Sequence, residues 1–103
     1  MIVVNTETIP GKSYEVLSLV AGCAVLSKHI GKDFLSGIKN IAGGELDAYT
    51  ELLEQSQTMA VQRMMGKAQN MGADAVVNVR FSTPSVTQGG AEIIASGTAV
   101  KFV

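Results

Sequence analysis

The stretch YEVLSLVAGCAVL, residues 14–26, decides the fold. It is long for a strand, yet its β-branched and small residues favour one. Gly22 marks a bulge or a place where another backbone comes close. Alternation puts Tyr14, Val16, Val20, Ala24 and Leu26 on one side, and Leu17, Leu19, Ala21, Cys23 and Val25 on the other. Both sides are apolar, and a sheet apolar on both faces needs two covers.

Before this strand, residues 2–4 form a short apolar run that stops at Asn5, and Pro10-Gly11 signals a turn. After it the period changes. Asp33 can cap a helix in which Phe34, Leu35, Ile38, Ile41 and Ala42 recur at helical spacing, and Gly43-Gly44 ends it. A longer helix is expected from about Glu45 to Met71. Leu46, Tyr49, Leu53, Ala60, Met64 and Met71 trace its apolar face, with Leu52, Met59 and Ala68 beside it. Glu45, Asp47, Glu51 and Glu54 lie early, Arg63 and Lys67 late, as the helix dipole prefers, and Gly72 closes it.

Two strands follow. In the first, Ala75, Val77, Val79 and Phe81 alternate with Val76, Asn78, Arg80 and Ser82. A polar loop through Thr83-Pro84-Ser85 and Gly89-Gly90 leads to the second, which runs from about Ala91 to the terminus. Ile94, Val100 and Phe102 lie on one side of it, and Ile93, Ala95, Ala99 and Val103 on the other. The expected fold is α+β in the order ββ-αα-ββ: a four-stranded, mainly antiparallel sheet with two helices on one face.

One domain, residues 1–103, accounts for the chain. Area scaling for its mass gives roughly 5,500 Å² exposed when folded against about 15,700 Å² extended, so a monomer is not generously stabilised. The hydrophobic fraction is 47% but aromatics are only 5%, so the core must be built from small aliphatic residues. One long and one short helix can shield one face of four strands, and no chain is left to cover the other. A second copy of the chain is the natural cover, and the last strand also ends the chain as an exposed edge. The expected partner is therefore the chain itself, in a ring.

A formal net charge of −1 gives no electrostatic case for nucleic acid. The N-terminus lacks the basic and apolar regions of a secretory signal, and residues 16–26 are about half the length of a membrane span. The single cysteine, Cys23, cannot form an internal disulfide, so nothing argues for an oxidising compartment. The expectation is a cytoplasmic protein with neither nucleic-acid nor membrane partners.

Four stretches, in this order and spacing, carry a resemblance over nearly the whole length. They are Asp33-Phe34-Leu35-Ser36-Gly37-Ile38, Gly43-Gly44 with Ala48-Tyr49, Met71-Gly72-Ala73-Asp74-Ala75-Val76-Val77, and Ser96-Gly97-Thr98-Ala99-Val100. The chain resembles the YbjQ-like family of small bacterial proteins, which carries a heavy-metal-binding label. The resemblance implies a dodecin-like subunit and a pentameric ring, and it brings no catalytic mechanism.

Metal sites usually need three or four converging ligands. Cys23 and His29, six residues apart, are the only thiol and imidazole and are the candidate metal ligands. Within one chain they are too few, whereas a ring could repeat them around an axis. The plainer expectation is a core cysteine and a surface-loop histidine. Met59, Met64, Met65 and Met71 could ligate Cu(I), but at helical spacing they read as packing. Glu51 and Glu54 read as a solvated helix face rather than an acid–base pair. Gly43-Gly44 lacks the spaced glycines and Lys of a phosphate loop. Lys28, His29, Lys32 and Lys39 could line an anion site, though such charges more often simply face solvent; Asp74 helps cap the turn entering its strand, and Tyr49 sits at the core edge. The expectation is a non-enzymatic ring that binds a small ligand at its subunit interfaces or central channel. The alternatives are a heavy-metal-binding protein with intersubunit ligands such as Cys23, and an enzyme whose site two chains assemble.

Overall fold

A computed structural model describes residues 1–26, 47–84 and 91–103. Its elements are β1 (Ile2–Val3), β2 (Tyr14–Leu26), α1 (Asp47–Asn70), β3 (Ala75–Ser82) and β4 (Ala91–Phe102). They form a mixed four-stranded sheet in the order β1-β3-β4-β2, so the last strand, expected as an exposed edge, is instead paired on both sides by β3 and β2. β1 runs parallel to β3, and the β3–β4 and β2–β4 pairings are antiparallel. The helix expected over residues 33–42 lies outside the described residues, so the described fold has one helix where the sequence predicts two.

Helix α1 covers one sheet face. Leu52, Ser56, Ala60, Met64 and Ala68 are buried at intervals of four residues, an apolar stripe interrupted only by Ser56. The Ser56 hydroxyl donates to the Leu52 carbonyl at 2.8 Å, so burial leaves it satisfied. Met71, expected on this face, is instead exposed. It lies beyond the last helical residue, where Gly72 (φ 80°) turns the chain. The amides of Gly72 and Ala73 donate to the carbonyls of Gln69 and Ala68, the paired bonds of a Schellman C-cap.

The helix stripe packs on Val20 and Ala24 of β2, Val76 and Val79 of β3, and Ile93, Ala95 and Ala99 of β4. Gly22 lies between Val20 and Ala24, and a Cβ there would fall on the Ala60 carbonyl oxygen and the Met64 amide nitrogen. Of the two roles open to this glycine, close backbone approach is the one it has. The bulge is elsewhere: Val16 pairs with Val100 and Ser18 with Ala99, leaving Leu17 as the extra residue.

That bulge corrects the expected alternation. Tyr14 and Val16 lie opposite Phe102 and Val100, on the face away from the helix, whereas Val20 and Ala24 face the helix. A second bulge interrupts β3, where Asn78 and Val79 together oppose Gly97. Asn78 has φ 54°, a region that Asn tolerates better than most residues. A Cβ on Gly97 would crowd Val76 and Val79. Ala75 and Val77 therefore turn away from the helix while Val76 and Val79 face it, and the expected single face Ala75-Val77-Val79-Phe81 does not exist.

On the face away from the helix, Ala75, Val77 and Val100 form a smaller core. The chain between β1 and β2 folds over it, bringing Val4, Ile9, Tyr14 and Phe102 into contact. Pro10 and Gly11 (φ 75°) make the turn, closed by the Lys12 amide donating to the Ile9 carbonyl at 3.1 Å. The Tyr14 hydroxyl donates to the Glu7 carbonyl at 2.7 Å and pins this cover. It reaches only the end of the sheet nearest Tyr14.

Candidate functional site

The other end of that face is uncovered among the described residues. Because Leu17 is taken up in the bulge, Val16, Leu19, Ala21, Cys23 and Val25 share one side of β2. Val16, Leu19 and Val25 are 66%, 73% and 60% exposed, values that belong to a surface and not to a core. Opposite them on β4 stand Val100, Thr98, Ser96, Ile94 and Glu92, so the face is apolar along β2 and mixed along β4.

β2 is also an edge of the sheet, and among the described residues only β4 pairs with it. Its single charge, Glu15, lies near the covered end. Edge strands are normally shortened, charged or covered, and this one is long and apolar. One device does reach it: Arg63 of α1 extends over the strand, and its Nη1 donates to the Cys23 carbonyl at 2.6 Å.

Cys23 is exposed on this same face, opposite Ile94, and not in the core where a lone cysteine in an apolar strand is expected. The physical reason is parity. Its neighbours Gly22 and Ala24 face the helix, so its own side chain points the other way. His29, the other candidate ligand, lies outside the described residues, as do Gly43-Gly44, the Lys28–Lys39 segment and the Tyr49 side chain. No group of three or more His, Cys, Asp or Glu side chains gathers among the described residues. Within one chain they therefore do not fit a heavy-metal centre, which needs converging ligands.

Among the methionines, Met64 is fully buried, Met59 and Met65 are half-buried and Met71 is exposed, which is packing and not a ligand set. Asp74 plays a structural part. Its Oδ2 accepts from the Phe102 amide at 2.8 Å and lies 3.9 Å from Lys101 Nζ. It thereby ties the start of β3 to the end of β4. Glu51 and Glu54 are exposed on α1, as expected. No described helix is long and apolar enough to cross a membrane.

A second feature lies towards the opposite edge of the sheet. An open cleft of about 990 Å³ runs beside β3, where the chain beyond β1 passes along its outer edge. The bulge at Asn78 switches the face that Arg80 takes, pairing it with Ser96, and neither bulge leaves a periodicity signal in the sequence.

The profile of the YbjQ family, described as "Putative heavy-metal-binding", matches residues 1–103. This chain belongs to the YbjQ family. Its relatives include UPF0145 proteins of Clostridium novyi (strain NT), 50% identical over the full length of both chains, and of Hahella chejuensis, 55% identical over 97% of each. A UPF0145 protein of Thermosipho africanus is 51% identical over 99% of this chain and 95% of its own. Among solved structures, a DUF74-family protein of unknown function from Pediococcus pentosaceus superposes with a TM-score of 0.71, covering 100% of this chain and 98% of its own. At 16% identity that likeness establishes the fold alone. In this YbjQ-family fold, the apolar face of β2 and the cleft beside β3 lie at opposite sides of the sheet, β2 being one edge and β1 the other.

Proposed function

We propose that this YbjQ-family chain is a non-enzymatic cytoplasmic homo-oligomer, a pentameric ring that binds a small ligand between its subunits. One observation carries the reading: Val16, Leu19 and Val25 stand exposed in a row on an edge strand that has only one described neighbour. Such a surface costs free energy in water and invites pairing, and a closed assembly of identical copies removes both problems. The dodecin-like shape implied by the family resemblance goes with the same reading.

Sedimentation velocity of the full chain and of Leu19→Asp tests it. The parent chain should sediment as one closed species at micromolar concentration, and the variant should shift towards monomer because a buried carboxylate has no partner there. A parent chain that sediments as a monomer contradicts the proposal.

The exposure of Cys23 favours a second reading, in which thiolates from several copies converge on a soft metal ion. Metal analysis of the purified ring, alone and after incubation with zinc or copper, should then show binding that Cys23→Ala abolishes. Equal metal content in the two proteins would exclude Cys23 as a ligand.

A further inference from the structure

The cleft beside β3 has a built asymmetry. Val3, Val61, Val79 and Phe81 supply apolar lining, and Arg80 is the only charged residue among the described residues that line it. The chain that continues β1 forms the outer rim. The Val4 amide donates to the Val76 carbonyl at 3.0 Å, the Val79 amide to the Val4 carbonyl at 3.1 Å, and the Asn78 amide to the Thr6 carbonyl at 3.0 Å. Between them the Asn5 carbonyl accepts from Arg80 Nη1 at 3.0 Å, and the same nitrogen donates to the Val79 carbonyl at 3.0 Å. The guanidinium is thus held at the rim by backbone oxygens. Among the described residues no carboxylate lies within ion-pair distance of it.

A cation held by backbone oxygens next to apolar lining selects a ligand of matching build. The guanidinium fork suits a carboxylate. One cation balances one negative charge, and the apolar lining penalises further charge, which disfavours phosphate esters. Phe81, 47% exposed, offers an aromatic surface on which a flat or branched apolar body can rest. We propose that this cleft binds a small organic monocarboxylate with an apolar or aromatic body, its carboxylate on Arg80 and its body against Val61, Val79 and Phe81. Every residue assigned to this site belongs to a single chain.

The test is a titration of the full-length protein with benzoate and with its uncharged isostere benzamide, followed by methyl and amide NMR. Benzoate should produce saturable shifts at Thr6, Val61, Val79, Arg80 and Phe81. Benzamide should bind about tenfold more weakly or worse, as expected for loss of a charge-assisted bond. Arg80→Gln should weaken benzoate by a similar factor without changing the sedimentation of the protein, while Arg80→Lys should retain part of the affinity. The comparison of the two ligands on the unsubstituted chain stands even if the variants fold poorly. Equal binding of benzoate and benzamide, shifts confined to Leu19–Val25, or no saturable shift at millimolar benzoate would each overturn the proposal.

Discussion

At Gly22 the helix and the sheet are in backbone contact, and no side chain fits between them. Gly22→Ala would force α1 off β2 against two backbone atoms, which cannot rotate away as a side chain can. We expect a loss of about 3 kcal/mol, the upper end of ordinary overpacking, read as a lower midpoint in urea. A variant as stable as the parent would show that the helix sits farther from the strand. Asp74 offers a quieter comparison. Asp74→Ala leaves the half-buried Phe102 amide without its acceptor and should cost about 1–2 kcal/mol, while Asp74→Asn keeps an acceptor oxygen and should cost less. Chemical denaturation of the two variants side by side checks the order. At this scale the sequence shows that Gly22 is special, because a glycine inside an apolar strand needs a reason, but it leaves bulge and close approach as equal candidates. The place of Cys23 follows from the same ambiguity: once Gly22 faces the helix, parity puts the thiol outside.

Among the elements, α1 is legible because its period extends over many turns, so that a single misplaced residue such as Met71 does not obscure it. Among the described residues its buried Ser56 bonds only the helix's own Leu52 carbonyl, so Ser56→Ala should change stability by about 1 kcal/mol or less. Thermal melting would reveal a larger role. The strands are less legible. Each bulge adds one residue to a period of two, and nothing in the side chains of Val16-Leu17-Ser18 marks the insertion. At Asn78 the hint is Asn itself, one of few residues at ease with positive φ, placed opposite a glycine. The β2 bulge makes its own prediction. Removing Leu17 joins Val16 and Ser18, which already pair with neighbouring residues of β4, so every side chain keeps its face. The deletion variant should retain a cooperative melt and the amide pattern of the parent; a collapsed spectrum would mean that Leu17 itself is needed.

For the molecule as a whole, the balance of apolar surface against available cover is what the sequence reveals most clearly. A strand apolar on both sides, with one layer of helix, leaves a face over, and the structure puts Val16, Leu19 and Val25 on it. The cover over the end nearest Tyr14, supplied by the chain between β1 and β2, is not legible in the sequence. That segment is short and polar in part, and its grip depends on the Tyr14 hydroxyl reaching the Glu7 carbonyl. The cleft with Arg80 is equally hidden, since it arises where a bulge, a helix wall and the continuation of β1 meet. Self-association is the central claim, and native mass spectrometry of the full chain at micromolar concentration tests it most directly. We predict a single closed assembly of identical chains, a pentamer, that Leu19→Asp dissociates; a monomeric parent chain would contradict the account.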